Sequence, residues 1–390
     1  PERMDAFTGA ARSLLTEREC DCSNSHAIKS LSLRFYLSPP DLSSIGGAVE
    51  HVVSGGKTKR LHFGTGSPYR RNTARQLAEF EQHFMSFSRD YRVAFRWLTV
   101  LTLKKLAFGH SDITDLIRAC DRLIHLTLSF CQLVDEDSVL KIDVPSSGLQ
   151  ELELFYFECT HIELISIPKL SEVYCQWSFK SAPLRFGYVP ELRGVSLTCR
   201  AEAWQAPFLL SECLSRSATN LSTLHLDFHH QMIWIQPEHP KQLTAIFRNL
   251  SDLSLSNIFP ECDLSWTLFI LEAAPALQKF TLSRTRQCAK TPEDNAEKTN
   301  VVWGPSKDFK HFNLKRLVIQ GFEEEDKVKN YIRLVMERAV GLKRIVLLGE
   351  YPCKDCNDCE RKCQVDEASR HHVKEQLAHG FTLHVEIIIR

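Results

Sequence analysis

One spacing recurs along the chain and constrains its fold more than any other feature: an apolar residue, two others, a second apolar residue, one other, and a third apolar residue. It occurs at Ile28/Leu31/Leu33, Leu98/Leu101/Leu103, Leu123/Leu126/Leu128, Leu149/Leu152/Leu154, Leu170/Val173/Cys175 and Leu192/Val195/Leu197. It continues at Leu221/Leu224/Leu226, Leu250/Leu253/Leu255, Leu277/Phe280/Leu282, Leu314/Leu317/Ile319 and Leu342/Ile345/Leu347, with a degenerate copy at Leu61/Phe63. Alternation with period 2 sends Leu126 and Leu128 to one face of a short strand, and Thr127 and Ser129 to the other. Such a strand cannot enclose its apolar face alone, so consecutive copies must stack on one another.

Taking the middle apolar residue of each copy as its anchor, most copies follow one another at 21 to 30 residues, with longer steps of 37 and 40. That is the range of leucine-rich repeats. The predicted fold is an α/β leucine-rich-repeat solenoid, with a curved parallel sheet on the concave side and helices and irregular segments on the convex side. Between strands the periodicity becomes helical. Ile113, Leu116, Ile117 and Cys120 follow a Ser111-Asp112 cap; Leu77, Phe80, Phe84 and Phe87 follow Asn72-Thr73; Leu264, Leu268 and Leu271 follow Asp263. Val328, Tyr331, Ile332, Val335 and Ala339 form a fourth helix, with Gly341 as its expected terminator. The two shortest steps contain Pro168, Pro183 and Pro190 and have room only for extended or 3₁₀ backbone. The expected organisation is a tail over 1–27 and a solenoid over 28–350 with a loop inserted at 284–312. A Cys-rich charged loop over 351–365 and a helix-and-strand cap over 366–390 complete it.

Lys plus Arg and Asp plus Glu each number 48, so no net charge draws the chain to nucleic acid or to an anionic membrane. No apolar run reaches the ~20 residues of a membrane helix, and Pro1 to Cys22 carries charges in place of a signal-peptide core. The expectation is a cytoplasmic or nuclear protein with no nucleic-acid or membrane partner. The 14 cysteines mostly stand singly in apolar segments, as Cys120, Cys131, Cys175 and Cys213 do, and read as reduced structural thiols. Cys131 occupies the repeat's Asn-or-Cys position, where the chain bends out of its strand.

Several segments in this order resemble the plant F-box/leucine-rich-repeat proteins, particularly grass forms with an FBD-like carboxyl region. They are Trp97-Leu98-Thr99-Val100-Leu101-Thr102-Leu103 running into Phe108-Gly109-His110-Ser111-Asp112-Ile113, then Ile165-Ser166-Ile167-Pro168-Lys169-Leu170. Asn257-Ile258-Phe259-Pro260-Glu261-Cys262-Asp263-Leu264-Ser265-Trp266, Leu271-Glu272-Ala273-Ala274-Pro275 and Tyr331-Ile332-Arg333-Leu334-Val335-Met336-Glu337-Arg338-Ala339 follow. The resemblance implies a non-catalytic module that selects a substrate protein for an SCF-type (Skp, cullin, F-box) ubiquitin ligase. Nothing in Pro1 to Ser30 fits the F-box pattern, so a Skp-type adaptor is an expected partner only if an F-box lies upstream in a longer product.

Two other sets of residues carry chemistry. Cys353, Cys356, Cys359 and Cys363 have the spacing of a zinc or iron–sulfur ligand run, but Gln364 stands where the ferredoxin pattern has Pro. In a loop dense in Lys, Asp and Glu, unliganded thiols are the simpler reading. No metal site and no cofactor is assigned, and no catalytic motif is found. The second set is the outward row of the middle strands: Glu151, Glu153 and Phe155; Glu172, Tyr174 and Gln176; His225 and Asp227. Aromatics among acidic groups on a concave face suit protein binding as well as they suit an ordinary solvated strand face. The expected partner is a substrate protein on this face or on the inserted loop. The alternatives are an interaction scaffold with no ligase link and a metal- or redox-responsive protein acting through Cys353 to Cys363.

Overall fold

The computed structural model describes residues 8–10, 13, 15, 28–37, 39–55, 58–67, 72–178, 182–200, 206–214, 217–229, 233–285, 301–349, 367–381 and 385–390. The chain divides into two compact units, Pro1–Trp177 with Pro183–Glu191, and Ser178–Ala182 with Leu192–Arg390. Each is an array of leucine-rich repeats.

In the first unit the repeat strands are β1 (Ser30–Tyr36), β2 (Arg60–Gly66), β3 (Val100–Lys104), β5 (His125–Ser129), β8 (Glu151–Phe155) and β10 (Glu172–Ser178), paired in that order and all parallel. Their inward residues form two continuous ladders. Leu33, Phe63, Leu101, Leu126, Leu152 and Val173 stand opposite one another, as do Phe35, Thr65, Leu103, Leu128, Leu154 and Cys175. The register corrects the sequence reading of the first two copies. Phe63, not Leu61, faces Leu101, so the true anchors are Leu33 and Phe63. A slip of two residues keeps the same side chains inward, which is why alternation alone could not detect it.

The helical layer follows the periodicity. The Ala74–Asp90 helix opens with a capping box, Gln76 N–H donating to Thr73 Oγ1 at 3.3 Å and Thr73 N–H to Gln76 Oε1 at 2.9 Å. Its Phe84 and Phe87 pack edge-on to Phe95 at 5.6 and 5.4 Å, and Phe87 stacks on Phe63 of β2 at 6.1 Å. At the Asp112–Ala119 helix the expected Ser111 side-chain cap is not made. Asp112 instead accepts from the Gly109 N–H through Oδ2.

The two shortest repeats are extended, as their prolines required. Strands β7 (Val139–Asp143), β9 (His161–Ser166) and β11 (Leu184–Tyr188) form a separate parallel sheet in the order β11-β9-β7, and β4 (Ala107–Phe108) pairs with β6 (Gln132–Leu133). Cys131 sits between these layers. Its buried thiol donates to the carbonyls of Leu103 (3.6 Å) and Ser129 (3.5 Å), and burial pushes its pKa up to about 12, so it is a structural group.

The second unit repeats the arrangement with β12 (Gly194–Arg200), β13 (Thr223–Asp227), β14 (Asp252–Ile258), β15 (Lys279–Arg284), β16 (Arg316–Gln320), β17 (Arg344–Leu348) and β18 (Glu386–Ile389), parallel and in chain order. Val195, Leu224, Leu253, Phe280, Leu317, Ile345 and Ile387 form one of its ladders. The Leu268–Ala273 helix is preceded by a 3₁₀ turn at Ser265–Thr267. The Asp326–Arg338 helix buries Val328, Tyr331, Ile332 and Val335.

Gly341 does not end that helix through a left-handed conformation. A Cβ there would lie 2.0 Å from the Phe312 carbonyl oxygen, so the glycine serves close backbone approach. Of the expected inserted loop, residues 286–300 lie outside the described residues; Trp303, beyond them, packs on Phe269 at 6.0 Å. A cap helix spans Glu367–Ala378. Among the described residues no helix is long and apolar enough to cross a membrane.

Candidate recognition face

Because the leucines of each strand point inward, every second residue points away from the helices. On the first unit, three cross-strand rows result. The first is Ser32, His62, Val100, His125, Glu151 and Glu172; the second is Arg34, Gly64, Thr102, Thr127, Glu153 and Tyr174; the third is Tyr36, Gly66, Lys104, Ser129, Phe155 and Gln176. Six of the residues singled out from the sequence therefore lie side by side: Glu151 opposite Glu172, Glu153 opposite Tyr174, and Phe155 opposite Gln176.

Polar contacts order much of this face. His125 bridges two carboxylates, Nδ1 to Glu151 Oε2 at 3.2 Å and Nε2 to Glu153 Oε2 at 3.4 Å. The Thr127 hydroxyl donates to Glu153 Oε2 at 2.9 Å, which explains why this outward threonine is buried. Tyr174 remains 42% exposed. Partial burial, then the carboxylates of Glu172, Glu151 and Glu153, raise the pKa of its phenol, because all three charges oppose a phenolate there.

Sequence reasoning missed the residues that follow the strands. Lys105, Phe130 and Tyr156 come directly after β3, β5 and β8 and have φ of 55°, 53° and 51°. Their N–H groups extend the ladder, donating to the carbonyls of Ser129, Phe155 and Gln176 at 3.0, 2.7 and 2.8 Å. Phe130 and Tyr156 stack with centroids 5.2 Å apart and planes 15° apart. The Tyr156 hydroxyl accepts from Gln176 Nε2 at 2.6 Å. A usable signal was present, since the same position two residues after the second ladder apolar holds Asn257 and Gly321 in later repeats. Those are the residues a left-handed turn prefers.

His225 and Asp227 belong to the second unit. Burial lowers the pKa of His225. Asp227 is occupied by its own turn, accepting from the His229 N–H at 2.8 Å and from Asn257 Nδ2 at 2.9 Å. Its neighbours on the outward rows are mostly Ser254, Ser256, Thr281 and Ser283.

Elsewhere in the first unit, a cavity of about 520 Å³ between the helices is lined by Glu81, Asp112, Arg89, Arg92 and Arg96 among others. Burial, then the Asp112 carboxylate, push the Glu81 carboxyl up to about 7. Cys353, Cys356, Cys359 and Cys363 lie outside the described residues, and among the described residues no group of His, Cys, Asp or Glu has the arrangement of a metal site.

The family model described as At1g61320/AtMIF1, LRR domain, matches residues 71–381. None of the curated proteins matches the chain.

Proposed function

The chain belongs to the At1g61320/AtMIF1 leucine-rich-repeat domain family, and from that premise we propose that it is a non-catalytic recognition module whose protein partner docks on the outward strand rows of the first unit. Leucine-rich repeats are built for protein–protein interaction, the stacked strands presenting a continuous surface of variable side chains. The observation that carries the assignment is Tyr174, an exposed aromatic held in register with Glu153 and next to Phe155 and Gln176. Clustered aromatics of this kind dominate protein interfaces.

The finer reading is that the partner is a substrate of an SCF-type ubiquitin ligase. Its support is the ordered resemblance to F-box/leucine-rich-repeat proteins. Ubiquitin transfer is then the work of partner enzymes, and the module acts by holding the substrate near them, raising its effective concentration. That role needs an F-box elsewhere in the product and a cytoplasmic or nuclear setting.

Affinity capture with the chain and with a Phe155→Ala/Tyr174→Ala variant tests the recognition face. Loss of the captured protein from a variant that unfolds normally supports it, and an unchanged capture places recognition elsewhere. Residues 1–390 alone are expected not to retain a Skp-type adaptor, whereas a product carrying an F-box upstream retains it. Equal adaptor recovery by both would mean that the adaptor docks elsewhere than on an F-box and would remove the main support of the plain-scaffold reading, and a captured partner with no adaptor in either would favour a plain scaffold.

A further inference from the structure

We propose that β18 is a self-association edge. It pairs antiparallel with β18 of a second copy of this chain, with Ile388 on the twofold axis and Glu386 of each copy facing Arg390 of the other.

The backbone defines the open edge. β18 is the last strand of its sheet, and among the described residues no strand pairs with its far side. Its near side is bonded to β17 through alternate residues, as parallel pairing requires. The Glu386 N–H donates to the Lys343 carbonyl at 2.9 Å and the Arg390 N–H to the Leu347 carbonyl at 2.9 Å, while the Arg390 carbonyl accepts from the Gly349 N–H at 3.0 Å. By that alternation Ile387 and Ile389 direct their N–H and C=O groups to the open side.

Burial singles out the same edge. In the ladder from Val195 to Ile387, every residue up to Ile345 is buried, and Ile387 is partly exposed. On the outward face Val318 and Val346 stand opposite each other and are buried, whereas Ile388, next in that row, is partly exposed. Both faces of β18 thus carry apolar groups that one more strand would cover. Open edges ordinarily carry charges that repel a further strand. Here the flanking charges are of opposite sign, which selects a partner instead.

Glu386-Ile387-Ile388-Ile389-Arg390 is complementary to itself when antiparallel. With Ile388 at the centre, Ile387 of one copy stands opposite Ile389 of the other. Those are the residues whose backbone groups face the open side, so each such pair exchanges both its hydrogen bonds. Ile388 then meets Ile388, and Glu386 meets Arg390, at the close positions between hydrogen-bonded pairs, where side chains interact most. Glu386 already accepts from Arg344, yet its side chain stays 55% exposed, leaving room for a second guanidinium. An axis normal to the sheet also keeps the inward faces of both copies on one side, so Ile387 and Ile389 join the two cores. A parallel pair would oppose Glu386 to Glu386 and turn the inward faces to opposite sides.

Sedimentation equilibrium of the full chain, from low to high micromolar, should show a reversible equilibrium of monomer and dimer. Arg390→Glu places like charges across the axis and should weaken dimerisation at least about tenfold, as should Glu386→Arg. Mixed in equal amounts, the two variants should recover the dimer, because each then offers the charges that the other lacks. Ile387→Pro removes an N–H that β17 does not use, and should weaken the dimer at least about tenfold while the urea midpoint stays close to that of the unaltered chain. A chain that stays monomeric, a dimer indifferent to both charge reversals, or variants that do not recover on mixing would overturn the proposal. Species that grow beyond the dimer would overturn it as well, since they mark head-to-tail pairing of β18 with β1, the strand at the other end of the sheet.

Discussion

The two units share one scaffold and differ in what they place outside it. In both, the inward ladders are nearly all Leu, Ile, Val or Phe. Outward, the first unit shows His125, Glu151, Glu153, Glu172, Phe155 and Tyr174, whereas the second shows Ser254, Ser256, Thr281 and Ser283, then Val318 and Val346. The second unit's outward rows also carry charges, two pairs of which are of opposite sign: Lys279 Nζ donates to Asp252 Oδ2 at 2.8 Å, and Arg344 Nε to Glu386 Oε2 at 2.7 Å. The inward pattern is dictated by burial and tolerates little change. The outward residues are free of that requirement, so a cluster of acid and exposed aromatic there is consistent with a use outside the fold.

The comparison breaks most decisively if the scaffolds are not equivalent. Leu126 and Leu253 are both fully buried, on matching ladders of the two units. Leu126→Ala and Leu253→Ala should each cost about 2–5 kcal/mol, the range for truncating a buried leucine. Chemical denaturation measures both. A change below a few tenths of a kcal/mol in one would mean that its ladder is not packed as described.

The units should also respond to pH in opposite directions. In the first, Glu81 ionises near 7 when folded, against an ordinary 4.5. Between those values the unfolded chain has lost a proton that the folded chain keeps, so this contribution to stability falls as pH rises from 4.5 to 7, by at most about 1.4 kcal/mol per pH unit. In the second unit, His311 is buried. Its Nδ1 accepts from the Leu314 N–H at 3.0 Å and its Nε2 donates to the Ala274 carbonyl at 2.9 Å, which fixes the neutral ring. Burial, outweighing that last hydrogen bond, lowers its pKa below 6.5. Its contribution is therefore complete above 6.5 and is lost as pH falls through the lower folded value. Urea titrations from pH 5 to 8 should show Glu81→Gln flattening the decline toward high pH, and His311→Gln flattening the decline toward low pH. Unchanged slopes in both variants would count against these environments.

For binding, Phe155→Ala/Tyr174→Ala should weaken partner capture by about 2 kcal/mol or more. Ser254→Ala/Thr281→Ala on the second unit should leave it unchanged. Equal losses from both pairs would mean that recognition is not confined to the acidic-aromatic face.

The ladder was legible in the sequence because burial imposes a spacing that survives in the residue types, as at Leu126 and Leu128. The side-by-side placement of Glu151 with Glu172 followed from the same spacing, since parallel stacking leaves no freedom once the anchors are known. The anchors Leu33 and Phe63 were misplaced by two residues, since Leu31 and Leu61 satisfy the same alternation. The His125 bridge was not foreseeable, because it depends on side-chain direction across a register that local sequence does not encode. Phe130 and Tyr156 were missed because bulky residues are the last expected at a left-handed position. Only Gly321 and Asn257, in other repeats, mark that position as special.

That position supplies the smallest and most discriminating comparison. At Gly321, φ is 68° and an added Cβ would meet the Arg284 carbonyl oxygen at 1.9 Å. Gly321→Ala therefore combines left-handed strain with a backbone clash, and should cost about 2 kcal/mol. In the first unit the same position already holds a side chain, so the reverse substitution is informative. Phe130→Gly relieves left-handed strain of about 1 kcal/mol, but it forfeits the stack on Tyr156, worth about 0.5–1.5 kcal/mol, and loosens the unfolded chain. The opposing effects leave a net change within about 1 kcal/mol by the same reasoning. If denaturation shows Phe130→Gly as costly as Gly321→Ala, the phenyl ring is a packing element of the first unit. If it is near neutral while binding to the face falls, the strained ring is retained for the partner.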